Sequence, residues 1–453
     1  MSLPTGELLV PGSPGYEEAR RPAIPRYDHV EPAAVARCRT DADVAAALAF
    51  ARAEGLAVAP RSGGHCFAGR SSTDGVVIDV SPMGSLSFDG EVATIGAGAR
   101  LAKVYDALER DGRTLAAGCG PEVGIAGLTL GGGLGILGRL HGLTADALLA
   151  ARVVLADGSV VEASEQSEPE LFWALRGAGG GQFAVVTSLA IQTLPAPPLA
   201  IGIHFVWSQQ HAPALLAAWQ DWSPDAPDAM AASLLMTAPS NPAEPLKAHV
   251  FGAMVADSEQ AAALLAELVE RVGARPLSSE LVAAPYRETK RRLAEHGPGE
   301  EMPGAHPYCK SEFFRQRLPA DAIARLIELL GADRRPGESR ELDFSPWGGA
   351  YTRVPADATA FPHRTARFLL KPGAVLAPTL DPAPARDWLE EAWESVHPYG
   401  TGGAYVNFPD PELAAPERAY HGPNLERLLR VKEAYDPDGV FGFPQSLSPA
   451  GRR

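Results

Sequence analysis

PRSGGHCFAGRSS at residues 60–72 and GCGPEVGIAGLTLGGGLGILGRLHGLTADAL at residues 118–148 decide how this chain is read. In the first, the apolar run AVAP, residues 57–60, ends in a loop with two adjacent glycines followed by His65. Consecutive backbone N–H groups in such a turn form a concave anion site, suited to a pyrophosphate without helix or metal. The second stretch carries Gly118, Gly120, Gly124, Gly127, Gly131, Gly132, Gly133 and Gly135. Helix-on-strand packing explains a few of these; glycine at this density removes side chains where a flat aromatic cofactor must approach the main chain closely.

A nicotinamide-type dinucleotide fingerprint fails in both places where it is imitated. ATIGAGARLAKVYDAL, residues 93–108, begins as strand, glycine turn and helix, but Leu101 fills the third glycine position. No acidic residue closes the following TLAAG, residues 114–118, to hold a ribose hydroxyl. At Gly177, Gly179, Gly180 and Gly181 a helix precedes the glycines, the reverse of the required order.

Composition narrows the partners. The 453 residues carry 40 Lys and Arg against 55 Asp and Glu, a net charge of −15 that repels nucleic-acid backbones and anionic membrane surfaces. No apolar run approaches the roughly 18 residues of a membrane span, and MSLPTGELLV lacks the form of a signal peptide, so a cytoplasmic location is expected. Cys38, Cys66, Cys119 and Cys309 are too widely spaced for a disulfide framework or a zinc site.

Periodicity predicts helices over 41–54 and 100–110, with strands over 76–80, 86–88, 91–95, 148–155, 159–163 and 183–194. Past LPAPPLA, residues 194–200, the texture changes to longer helices over 212–222, 258–272, 320–330 and 385–395. Strands expected over 201–207, 247–255, 308–314, 341–345, 366–371 and 403–408 suggest one large antiparallel sheet backed by those helices. A last helix over 425–435 is expected to return to the first half.

RSGGH with the following Gly69, Arg70, Ser71 and Ser72, the run from Pro121 to Gly135, GLTADALL and ELFWALRGAGGGQFAVVT together resemble the FAD-linked oxidases of the vanillyl-alcohol oxidase and p-cresol methylhydroxylase superfamily. FPHR at 361–364, AYVNFPDPEL at 404–413, YHGPN at 420–424 and VKEAYDPDGVFGFPQSL at 431–447 place the resemblance within the berberine bridge enzyme-like group. It implies an α+β fold in which a two-lobed FAD-binding domain, residues 1–197, is interrupted by a substrate domain, residues 198–412, and completed by residues 413–453. The expected activity is that of an enzyme, an oxidase taking a hydride from a small metabolite and returning the electrons to dioxygen. A same-fold dehydrogenase with another electron acceptor and a flavin-binding module without catalysis are its rivals.

By the same resemblance, FAD lies against Arg61, Ser62, Gly63, Gly64, His65 and Gly69, and against Val123, Gly124, Gly127 and Leu128. Gly131, Gly132, Gly133 and Gly135 are expected to touch it, as are Val185, Tyr405, Asn407 and Asn424. His65 is the expected covalent link to the flavin. Many members of the group carry a second link through a cysteine just before the Pro of this motif; here that position is Gly120, and Cys119, one residue earlier, is expected to point away. Tyr405 and Asn407 alternate on an expected strand and share a face. Tyr405 is the candidate base, with Lys371 or Arg367 as the cation that would favour its phenolate, and Tyr420 is a further candidate. His363 and His421 read as structural.

Overall fold

The computed structural model describes residues 3–295, 302 and 304–449 of the chain. It is an α+β structure built on three main sheets. The first has four strands: Ala34–Arg37 and Val58–Arg61 run parallel to the central Val76–Asp79, and Glu7–Leu9 adds antiparallel at the edge. Its three parallel strands are short and mostly apolar, as burial on both faces demands. The helix Asp41–Glu54 covers it. Thr40 and Asp43 form a reciprocal cap at the start of this helix, and Gly55 ends it in the left-handed conformation, φ 65°. The second sheet is antiparallel, in the order Leu86–Asp89, Val92–Gly96, Val185–Gln192, Leu148–Val154 and Val160–Ser164.

One continuous apolar core joins these two sheets, from Ala34 and Ile78 to Val153 and Leu189. Leu428 and Val431 of the helix Leu425–Tyr435, with Phe441 and Leu447 beyond it, pack into the same core. A charged clasp fixes this return. The Lys432 ammonium, fully buried, donates to Asp436 (2.6 Å), to the Gln182 carbonyl (2.6 Å) and to the Phe441 carbonyl (2.8 Å).

The third sheet is antiparallel. Its order is Ser278–Ala284, Ala200–Ser208, Lys247–Met254, Met230–Ala238, Glu338–Pro346, Phe368–Leu376 and His306–Cys309, with Glu312–Phe314 also paired to Phe368–Leu376. One face, carrying Ile203, Leu234, Val250, Phe344 and Leu370, is buried under the helices Ala212–Asp225, Ser258–Val272, Ala320–Gly331 and Ala383–Glu394. Arg139, 1% exposed, bolts this layer to the first half, because its guanidinium takes up the Ser223, Pro224 and Ala226 carbonyls at the end of the helix Ala212–Asp225. No helix among the described residues is long and apolar enough to cross a membrane.

Several expected elements differ. Residues 403–408 form no strand: the Tyr405 N–H donates to Ser311 Oγ and the Phe408 N–H closes a turn onto the Tyr405 carbonyl, between Gly402–Gly403 and Pro409. The run over 308–314 breaks at Lys310, whose ammonium turns inward to pair with Asp410 (2.7 Å) and Glu390 (2.6 Å). The strand expected to end at 371 continues through Pro372 to Leu376. The strands Met230–Ala238 and Ser278–Ala284 and the helix Tyr286–Glu295 were not anticipated.

Asp436→Ala would leave the Lys432 ammonium buried and unpaired, so the variant should lose about 3–5 kcal/mol of unfolding free energy. Denaturant titration checks this as a lowered midpoint at unchanged slope.

Candidate active site

The strand Val58–Arg61 delivers the first glycine loop to the seam between the two smaller sheets. Arg61 frames that loop from inside: its guanidinium donates to the Ser71 carbonyl (2.9 Å), the Ala19 carbonyl (2.7 Å) and the Arg20 carbonyl (2.9 Å). Burial pushes this guanidinium down to about 10. Ser62 Oγ donates to the Ala97 carbonyl (2.6 Å). Gly63 then meets the second glycine stretch backbone to backbone, since a Cβ on Gly63 would lie 2.3 Å from the Gly124 nitrogen. Gly64 turns the chain in the left-handed region, φ 73°.

Together these loops wall a cavity of about 410 Å³, within the size range of cofactor sites. Arg61, Ser62, Gly63, Gly64 and His65 line it, as do Val123, Gly124, Gly127, Leu128, Val185, Tyr405 and Asn407. The fit to FAD rests on three features. Among the described residues, nothing in the protein accepts from the backbone N–H groups of Gly63, Gly64, His65 and Cys66, so this loop offers donors to a phosphate. A Cβ on Gly127 would have no atom within 4 Å, so its surface faces open cavity. Ser71 Oγ and Arg70 Nε are buried without a hydrogen-bond partner, in two residues that line the same space. Burial, helped by Arg100 and opposed by Glu122, holds the His65 imidazole below its ordinary range and so neutral at neutral pH.

Tyr405, 2% exposed, is the best-defined polar group of the cavity wall. Its hydroxyl oxygen accepts from the Gly133 N–H (3.0 Å) and from Asn407 Nδ2 (3.0 Å), and that amide also donates to the Leu128 carbonyl (3.0 Å). Among the described residues no acceptor receives the Tyr405 O–H proton. Burial pushes the phenol up to about 12 despite these two donors.

Other expected site residues lie elsewhere. Gly69 packs on the Tyr27 ring, Gly131 on Asn407, Gly132 on Phe361, Gly133 on Thr144 and Gly135 on the Ala117 backbone, so these glycines make room for protein rather than for a cofactor. Asn424 donates to the Ala356 (2.7 Å) and Thr359 (3.1 Å) carbonyls. Tyr420 sits behind Arg70, its hydroxyl bonded to the Asp410 N–H (3.0 Å). Lys371 does not serve Tyr405: its ammonium pairs with Glu341 (2.8 Å) and stands 3.7 Å from Asp343. Arg367 pairs with Asp225 (2.9 Å). Cys119 lies near Lys290 and is not part of the cavity wall, whereas its neighbour Gly118 is.

The sequence reading passed over Gly179, Gly180 and Gly181, which line the cavity. Their cluster was visible, and only its order relative to the helix argued against it. Asp343 was also missed. It lies on the sheet face that carries Lys371, whose ammonium stands 5.3 Å from the Phe408 ring; that ring packs edge-on against Tyr405 at 5.0 Å. Burial, opposed by Lys371 and reinforced by Glu341, pushes the Asp343 carboxyl up to about 6.

Two glycine loops around a cavity rich in free N–H donors define a FAD-binding oxidoreductase. Residues 32–164 match the family described as FAD binding domain, and residues 404–448 the family described as Berberine and berberine like. An uncharacterized FAD-linked oxidoreductase of Bacillus subtilis, YgaK, is 32% identical over 461 residues, 99% of this chain and 98% of the relative. Glucooligosaccharide oxidase of Sarocladium strictum is 31% identical over 453 residues, 94% of this chain and 88% of the relative. Among solved structures, a chitooligosaccharide oxidase superposes with a TM-score of 0.85 at 27% identity, covering 98% of this chain and 97% of that one. The chain belongs to the berberine bridge enzyme-like FAD-linked oxidoreductases.

Gly127→Ala adds a methyl that meets no protein atom and favours its helix. Its melting temperature without cofactor should match the parent's while most of the bound FAD is lost, read as the ratio of absorbance at flavin and protein wavelengths.

Proposed function

We propose that this enzyme oxidises a carbon bearing a hydroxyl group on a small polyhydroxylated molecule, with FAD as the immediate electron acceptor and dioxygen, released as hydrogen peroxide, as the final one. Residues 1–197 with 413–453 form the cofactor-binding part in this reading, residues 198–412 supply the substrate-facing sheet, and His65 carries the FAD covalently. The observation that carries it is the Tyr405 hydroxyl, fixed by two N–H donors at the cavity wall beside a sheet face bearing Asp343 and Lys371. Oligosaccharide oxidases among the relatives support the substrate class.

When bound, FAD supplies the hydride acceptor. The protein's part is to hold the substrate and move one proton. Tyr405 keeps its proton near neutrality and aims its O–H away from its two donors, so it orients a substrate oxygen rather than deprotonating it. The role expected for it as base therefore passes to Asp343, a carboxyl that is ionised at neutral pH yet basic enough to take a proton. Lys371 pairs with Glu341 and steadies the ionised pair around it.

Three measurements test this reading. Acid precipitation should leave the yellow colour on the parent protein and release it from His65→Ala; colour released from both would remove the covalent link. In anaerobic stopped flow with a sugar panel, Asp343→Asn should slow FAD reduction by about 10²–10⁴-fold. It should also abolish the rise in rate through about pH 6 that ionisation of Asp343 produces in the parent. Tyr405→Phe should cost about ten- to a hundredfold, the loss of one oriented hydrogen bond. Sluggish reoxidation of the reduced parent by dioxygen would make the enzyme a dehydrogenase.

A further inference from the structure

Behind the cavity wall lies a buried cation that the proposed reaction does not use. Gly118, which lines the cavity, belongs to its Tyr405 end. A Cβ on Gly118 would lie 3.4 Å from the Leu134 carbonyl oxygen and 3.5 Å from the Leu128 side chain, and the Leu128 carbonyl takes the Asn407 amide that also donates to the Tyr405 hydroxyl. Two groups hold the main chain here. The Gly118 carbonyl accepts from the Tyr105 hydroxyl (2.7 Å), and the preceding carbonyl, of Ala117, accepts from the Lys290 ammonium (2.7 Å). Peptide geometry sets a carbonyl oxygen about 2.8 Å from the next Cα, so the ammonium nitrogen stands no more than about 5.5 Å from the Gly118 Cα.

Lys290 comes from the helix Tyr286–Glu295, which packs on the large sheet, and it is 2% exposed. Its ammonium also stands 3.6 Å from the centroid of the Tyr105 ring, where the ring face attracts a cation. Among the described residues no carboxylate pairs with it, whereas the other buried lysines each have one: Lys310 has Asp410, Lys371 has Glu341 and Lys432 has Asp436. Arg287, on the same helix, spends its charge on Asp106 (2.5 Å). The neighbouring groups able to become anions, Cys119, Tyr105 and Tyr286, are all pushed up by burial and stay neutral near neutral pH. Burial, opposed by Cys119 and helped by Arg287, pushes the Lys290 ammonium down to about 7, so it is mostly charged at about pH 6. A charge buried without a counter-ion costs stability, and a mere tether to the Ala117 carbonyl needs only a neutral donor.

We infer that Lys290 tunes the flavin from behind the wall: its unneutralised ammonium favours the negative charge that FAD gains on reduction and so makes the bound FAD a stronger oxidant. Accepting a hydride brings FAD two electrons and one proton, so the flavin ring gains one negative charge unless a second proton follows. A cation beside the wall stabilises that product and leaves the neutral oxidised ring little changed. Lys290 does not line the cavity, so it acts through its field, across a wall kept thin by Gly118. At an effective dielectric constant of about 20, a unit charge acting over about 10 Å shifts such an equilibrium about tenfold. The inference needs FAD in this cavity and is independent of the substrate, so failure of the sugar reading leaves it standing.

The test uses the FAD-loaded enzyme at about pH 6 with sulfite, whose lone pair adds to the flavin ring and places a negative charge on it. Two quantities that need no substrate are read, the sulfite dissociation constant from the loss of flavin absorbance and the midpoint potential from reduction alongside a reference dye. Lys290→Met, which fills the same space without charge, should raise the dissociation constant about tenfold and lower the potential by about 30 mV, the same factor on a two-electron couple. Lys290→Gln, which keeps a donor for the Ala117 carbonyl, should shift both as far. Lys290→Arg, which keeps the charge, should bind sulfite within a few-fold of the parent. Parent-like values in the two neutral variants overturn the inference. So does an equal weakening in Lys290→Arg, which would trace the effect to fit rather than charge. Loss of FAD or of the folded state in both neutral variants, read from flavin absorbance and melting temperature, makes Lys290 a tether between its helix and the wall and overturns the tuning role as well.

Discussion

Two backbones touch where Gly63 meets Gly124, and much of the site follows from that contact. Neither residue has room for a methyl, so the loop leaving the four-stranded sheet and the loop that passes into Ile125–Leu130 are locked to one another. The second loop is itself tied down by reciprocal bonds, Leu101 N–H to the Val123 carbonyl (3.0 Å) and Ile125 N–H to the Ala99 carbonyl (3.0 Å). The Ser62 bond to Ala97 ties the first loop to the same neighbourhood. With both loops held by main-chain contacts, their glycine surfaces and spare N–H groups are left facing one cavity. The arrangement binds by what it leaves unfilled, so a small side chain placed there acts on the cofactor before it acts on the fold.

The distant parts of the chain are held to this centre by buried cations that take up carbonyls. Arg139 caps the end of the Ala212–Asp225 helix, Lys432 gathers the C-terminal tail, and Arg364 clamps Asp146 through two bonds (2.8 and 2.7 Å). Each would be costly if unpaired, and each spends its charge on several oxygens at once. Tyr405 depends on the result. It reaches the cavity on a turn, where Gly131 lies against Asn407 and the Gly133 N–H two residues on donates to the Tyr405 oxygen.

How much of this was legible in the sequence depended on whether local chemistry or tertiary packing decided the outcome. The helices Asp41–Glu54, Ser258–Val272 and Leu425–Tyr435 lie where periodicity put them; the first two have side-chain caps at Thr40 and Asp257 and left-handed glycines at Gly55 and Gly273. The strand Met230–Ala238 was missed because Leu234, Leu235 and Met236 break the alternation, Leu235 being buried on the face opposite the helices. At the site, motif position separated glycines that face the cavity poorly from glycines that face protein: Gly127 and Gly131 look alike in sequence, and only the position of Asn407 tells them apart. Tyr405 and Asn407 were paired by a strand argument that fails, yet they meet at 3.0 Å because a turn brings the amide under the hydroxyl. Lys371 was expected at the end of its strand as a cation for Tyr405, but the strand runs on through Pro372 and the ammonium is buried against two carboxylates of the paired strand Glu338–Pro346.

That last arrangement constrains the substrate's charge. Lys371 faces Glu341 and Asp343 together, so when all three groups are ionised the sheet face beside the cavity-lining Phe408 carries one negative charge in excess, and among the described residues neither carboxylate has a second ion pair. In a site of low effective dielectric such a charge acts over several ångströms. An anionic substrate, such as a uronic acid or a hydroxy acid, would meet repulsion there and would raise the Asp343 carboxyl further, depleting the ionised form that the proposed reaction needs. A neutral sugar avoids both penalties, and an amino sugar would gain attraction while lowering the same carboxyl. In the proposed reaction the cluster therefore discriminates by charge at the step where the proton would move.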